Sequence, residues 1–105
     1  MTTATNPLAV IFREFEGETL AIFPEMPWSR SPNECGSYAR IGQHGACDPA
    51  HIIANSRPAD PDKADALRRE LESAPFEYSL RPLLRMTRKA VENRLAHLMG
   101  EPYNA

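Results

Sequence analysis

The chain is poor in everything that would let it enter a membrane. Its longest uninterrupted apolar runs are residues 8–12 and 20–23, against the roughly 20 residues that a membrane helix needs. The opening MTTATNP lacks the basic start, apolar middle and small-residue cleavage site of a secretory leader, so a cytoplasmic chain is expected. Cysteine is scarce, two in 105 residues, and in that compartment the pair is expected as thiols rather than as a bridge. Internal repeats and low-complexity tracts are also missing, and no motif names a reaction. At this length the chain has room for one domain, residues 1–105, with one modest core.

Charge is nearly balanced, at −2 overall, but not evenly spread. Residues 1–39 carry Arg13 and Arg30 against Glu14, Glu16, Glu18, Glu25 and Glu34. Residues 78–105 carry Arg81, Arg85, Arg88, Lys89 and Arg94 against Glu92 and Glu101. The C-terminal end is locally basic, which fits either a solvated helix face or a surface that meets an acidic partner.

Periodicity predicts an α+β fold. Leu8, Val10 and Phe12 alternate with Ala9, Ile11 and Arg13, and a second β-rich run, TLAIF, follows after EGE. The two read as an antiparallel hairpin turning at Glu16-Gly17-Glu18. Pro24, Pro27 and Pro32 are expected to break regular structure and leave a loop carrying Trp28. Residues 35–42 read as a third strand that the glycines at 42 and 45 end. Asp60 and Pro61 have the signature of a helix start, Ala64, Leu67, Leu71 and Ala74 share one face, and Pro75 ends the run. Residues 76–86 read as a fourth strand, bent or at an edge because of Pro82. A last helix over 87–100 is capped by Thr87. Its apolar stripe is Val91, Leu95, Leu98 and Met99, opposite Arg88, Lys89, Glu92 and Arg94. The expected architecture is therefore a small antiparallel sheet of about four strands with two helices packed on it, in the order βββαβα. The sheet and first helix would occupy residues 7–86, and a basic amphipathic helix residues 87–100.

Residues 35–51 hold both cysteines and two of the three histidines: Cys35, His44, Cys47 and His51. All four are competent zinc ligands, but their spacing differs from the close C-x(2–4)-C and H-x(3–5)-H pairs of structural zinc sites. A Cys–His nucleophilic pair is conceivable, yet no third partner or oxyanion loop accompanies it. The favoured reading of GQHG is a glycine-flanked turn, with Gly42 and Gly45 free to take positive φ and with Gln43 and His44 bonding to backbone groups. Loops carry function more often than cores do, and Trp28, Tyr38, Gln43 and His44 could share one face.

The stretches VIFREFEGETLAIFPEMPW, CGSYARIGQHGACDP and RPADPDKADALRRELES resemble a family of small proteins found in bacteria, plasmids and phages. In that family a VIFRKF…ALFP hairpin precedes a C-x-SY…GQHG segment and a P-A-x-P helix start. The resemblance covers residues 9–74. It departs at Arg40, where a histidine is expected, and in the basic helix beyond the fourth strand, which is an addition.

The resemblance implies a context rather than a reaction. Small proteins of mobile elements commonly bind host machinery stoichiometrically, and anti-CRISPR inhibitors are one such group. The expectation is a non-enzymatic binding protein without a cofactor, monomeric or homodimeric, whose partner is a host protein or ribonucleoprotein complex. Its candidate binding residues are Trp28, Tyr38, Gln43, His44, Arg85, Arg88, Lys89 and Arg94, and no residue is assigned a catalytic or metal-binding role. The first alternative is a nucleic-acid-binding module using the basic helix, and the second a small zinc-binding domain using residues 35–51.

Overall fold

Successive side chains of an extended strand point to opposite sides, so the alternation at residues 8–13 gives the first strand two apolar faces. In the computed structural model, which describes residues 7–39 and 43–100, this strand is β1 (Leu8–Phe15). It pairs antiparallel with β2 (Glu18–Pro27), from Ile11 opposite Ile22 to Phe15 opposite Glu18. Glu16 and Gly17 make the turn at φ 52° and 83°. Two positive φ values in succession are the sign pattern of a type I′ turn, whose twist matches that of a hairpin, and glycine at the second position accepts it without strain.

The prolines do not end β2, which runs on to Pro27. Pro24 is buried, and the antiparallel pairing with β3 (Cys35–Ala39) shifts register between Phe23 and Pro27. That irregularity accommodates residues that have no amide to donate to a ladder. The expected turn at Gly45 is also a strand. Gln43–Cys47 forms β4, antiparallel to β3, with Tyr38 opposite His44 and Cys35 opposite Cys47. Gly42 lies outside the described residues.

A helix absent from the sequence reading follows. Asp48 accepts from the amides of Ala50 and His51, and Pro49 opens α1 (Pro49–Ala54). The same Asp-Pro arrangement opens α2 (Pro61–Glu72), as expected, where Asp60 accepts from the amide of Asp62. Between them β5 (Arg57–Pro58) pairs antiparallel with β1. The expected fourth strand shrinks to β6 (Leu80–Pro82), and it pairs with β1 in parallel rather than antiparallel. Thr87 caps α3 (Arg88–Leu98) through the amide of Ala90, as expected.

The α+β class holds, but the described residues form a sheet of six strands rather than about four, and three helices rather than two. The element order is ββββαβαβα in place of βββαβα. The path across the sheet is β4-β3-β2-β1-β5, with β6 also on β1. Both faces are covered. Val10, Ala21, Phe23, Tyr38 and Leu80 pack with Leu67 and Leu71 of α2 on one side. Ile11, Ile22 and Cys35 pack with Ile52 of α1 on the other. Burying a leucine as fully as Leu71, which is 0% exposed, stabilises the fold by about 2 kcal/mol. Among the described residues no helix is long and apolar enough to cross a membrane.

Candidate functional site

The pairing of β3 with β4 sorts the opening cluster onto two faces. Tyr38 and His44 stand on the α2 side, and Cys35 and Cys47 on the α1 side. His51 lies on α1, where its Nδ1 is 3.2 Å from the Asn55 amide nitrogen. The four candidate zinc ligands are thus not gathered, and among the described residues no group of three or more His, Cys, Asp or Glu side chains is placed to hold a metal ion.

His44 sits among three aromatic rings, with centroids 4.8 Å from Tyr38, 5.2 Å from Phe76 and 6.0 Å from Tyr78, all edge-on. Its Nε2 is 2.9 Å from the Tyr78 hydroxyl. The buried Tyr38 sends its own hydroxyl to the Glu70 carboxylate of α2. Each polar tip therefore meets a partner while its ring fills apolar space. His44 is a hydrogen-bonding residue, as the sequence reading favours, but its partner is the phenol of Tyr78 rather than a freed backbone group. Phe76, Tyr78 and Glu70 complete this cluster, and none of the three is among the candidate binding residues expected from sequence.

The other candidate binding residues are dispersed. Gln43 is exposed and, by alternation, faces the side opposite His44. Trp28, 48% exposed, follows the end of β2. Arg85, Arg88 and Lys89 are exposed around the start of α3. Arg94 corrects the expected helix face, being only 5% exposed. It reaches inward so that Nη1 donates to the Pro24 carbonyl at 2.8 Å and Nη2 to the Pro32 carbonyl at 3.4 Å. Met99, placed in the apolar stripe by the sequence reading, is 75% exposed. The buried stripe of α3 is Ala90 and Arg94, flanked by half-buried Val91, Leu95 and Leu98.

A second arginine is used in the same way. Arg13 donates from Nε to the Ser56 hydroxyl at 2.8 Å, and from Nη2 to the carbonyls of Ser56 at 2.8 Å and Ile53 at 3.3 Å. It thereby satisfies carbonyls at the end of α1 that the helix itself leaves open.

On the α1 side, Cys35 and Cys47 face each other with their sulfurs 3.7 Å apart. Both are thiols. The Cys35 thiol is pushed up by its hydrogen bond with Cys47 and by burial. Cys47 is lowered, chiefly by its hydrogen bond with Cys35 and further by Ser37 and the Arg94 charge, against burial and the Asp48 charge, which push it up. Beside Cys47 is a cleft of about 310 Å³, lined by Phe15, Glu18, Leu20, Ser37, Ala46 and Ile52 among others. A further cleft of about 380 Å³ lies between the hairpin turn and α2, where Asp62 and Lys63 are its charged helix residues.

No protein-family model, curated protein or solved structure matches the chain.

Proposed function

We propose that the protein acts by stoichiometric binding to a partner polypeptide, which pairs with the open edge of β4. The supporting observation is the contrast between the two sides of the sheet. Among the described residues β4 has a strand neighbour on one side only. Its five residues, QHGAC, contain no proline and no charged side chain, and its pairing with β3 keeps register throughout. On the far side, β5 is two residues long and ends in Pro58, and β6 carries Arg81 and Pro82. Proteins blunt sheet edges with charge, proline and bulges, because unpaired amides and carbonyls recruit other strands. The far side has such devices and β4 has none.

The partner class is a host protein or ribonucleoprotein complex, and an inhibitor of the anti-CRISPR type is its most concrete form. The double variant Gln43→Lys, Ala46→Lys places two cations on exposed positions of the edge. It is expected to fold with unchanged stability and to lose the partner that the unaltered chain retains from host extract. Cross-linking should place the contact at residues 43–47. A partner retained by the lysine variant, or cross-linked elsewhere, overturns the reading.

A second reading rests on the start of α3. Arg85, Arg88 and Lys89 are exposed there, and the first helical turn has no acidic residue. The positive end of the helix dipole adds to these charges, which favours an anionic partner such as a nucleic-acid backbone. Arg94 takes no part, and the net charge of −2 opposes non-specific attraction to a polyanion.

A further inference from the structure

We propose that Cys35 and Cys47 form a redox-active dithiol, with Cys47 attacking small disulfides that enter the adjacent cleft and Cys35 resolving the mixed disulfide into an intramolecular bridge. This goes beyond binding at the β4 edge and does not depend on it.

The geometry carries the proposal. The two residues are directly opposed in an antiparallel pair, and such pairs hold their Cα atoms about 4.5–5.5 Å apart. That span lies inside the range a disulfide bridges. With the sulfurs already 3.7 Å apart, closure to the roughly 2.0 Å of a disulfide bond needs side-chain rotation and no movement of the backbone.

The two thiols have different surroundings, and this divides the work between them. Cys35 is 0% exposed in the core beneath Ile22 and Ile52. Cys47 is half-buried and lines the 310 Å³ cleft, whose wall combines the apolar Phe15, Leu20 and Ile52 with Ser37 and the acidic Glu16 and Glu18. A reagent meets Cys47 first. The two sulfurs are within hydrogen-bonding distance, and with Cys35 as donor the bond favours the Cys47 thiolate, the nucleophilic form. Arg94 adds a buried positive charge. Its hydrogen bonds to Pro24 and Pro32 go to neutral carbonyls, and among the described residues its Nε has no partner, so an anion on the cysteine pair is a charge that it can stabilise.

The oxidant is a low-molecular-weight disulfide, RSSR. The Cys47 thiolate attacks one sulfur, forming Cys47–S–S–R and releasing RS⁻. Cys35 then attacks the Cys47 sulfur, and its proton leaves with the second thiol as RSH. The protein dithiol loses two electrons and RSSR gains them, so the reverse reaction with excess RSH restores both thiols.

The test uses the full chain and oxidised glutathione. The wild type should pass to a form lighter by two hydrogens, with no lasting glutathione adduct, and return on addition of reduced glutathione. Cys35→Ser should stop at a stable adduct on Cys47. Because a serine at this buried position could impair folding, the wild type is also pulsed with iodoacetamide and mapped by peptide. Cys47 should be alkylated at least about tenfold faster than Cys35, with a midpoint below that of a free thiol. Equal reactivity of the two cysteines, faster labelling of Cys35, or accumulation of adducts or disulfide-linked dimers in the wild type would overturn the proposal.

Discussion

Arg94 donates to the carbonyl of Pro24 from 70 residues further along the chain, at 2.8 Å. The bond fastens α3 to the part of β2 where the ladder is irregular, and the second bond to Pro32 extends the clamp into the loop before β3. A guanidinium presents donors in a planar fork, so one side chain serves both carbonyls. Replacing Arg94 by Met should cost about 2–4 kcal/mol, since two carbonyls lose a donor and the packing around the guanidinium is lost. Arg94→Lys should recover only part of that, because an ammonium is a single point. Urea unfolding measures both, and a Met variant within about 0.5 kcal/mol of wild type would remove the clamp from the account of stability.

Charge reversal at Arg85, Arg88 and Lys89 should behave differently. All three are exposed, so Glu at each should change stability by less than about 0.5 kcal/mol. If the second reading of function is right, the wild type binds RNA or DNA with an affinity that falls steeply with salt, and the triple variant loses affinity and much of that slope. For a protein partner at β4, neither generic nucleic acid nor the triple variant should show an effect. Filter binding across a salt series separates the two.

Gly17 and Gly45 should respond oppositely to alanine. Gly17 holds φ at +83°, a conformation that costs a side chain about 1–2 kcal/mol. Gly45 sits in a regular strand, has no atom within 4 Å of an added Cβ, and is absent from the positive-φ glycines. Gly45→Ala should be neutral or stabilise by about 0.5 kcal/mol, through lost freedom in the unfolded chain. The turn expected from sequence demands the reverse, so thermal melts of the two variants test the strand assignment directly.

The His44–Tyr78 hydrogen bond should be measurable as a coupling. Tyr78→Phe keeps the ring contacts with Phe23 and Phe76 and removes only the hydroxyl that meets Nε2, at a cost of about 1 kcal/mol. Once His44 is replaced by Ala, the same change should cost almost nothing. A double-mutant cycle with no coupling would show that the two side chains are neighbours without being partners.

Elements with strong local chemistry are legible in the sequence. The β1–β2 hairpin, the Asp60 and Thr87 caps and the core leucines of α2 each follow from residues within a few positions of one another. The β3–β4 hairpin is legible in a less familiar way. Tyr38 and His44 are equidistant from position 41, and so are Cys35 and Cys47, which is the symmetry an antiparallel pair requires. The glycines hide it, because they suggest a turn where a strand forms. The Asp48-Pro49 start of α1 carries the same signal as Asp60-Pro61, but only six residues follow before the helix ends, too few for an apolar period to show. Arg94 is legible in position but not in role. It follows Val91 by three residues and precedes Leu98 by four, so helical spacing places it on the apolar stripe rather than opposite it, and only the carbonyls of Pro24 and Pro32 give a guanidinium there partners that let it point inward.

β1 has consequences for synthesis as well as for stability. Its side away from β2 is shared by β5, at Arg13 and Glu14, and by β6, at Leu8 through Val10. The partner of Leu8 is Leu80, so when the first hairpin leaves the ribosome one flank of its central strand is still waiting for residues not yet translated. Contacts of such wide sequence separation form late, and a nascent chain in that interval presents the apolar β1 as a second unprotected edge. A stalled or prematurely terminated chain that stops before β6 would thus be a natural substrate for chaperones or proteases, whereas in the finished protein β5 and β6 cover that flank of β1.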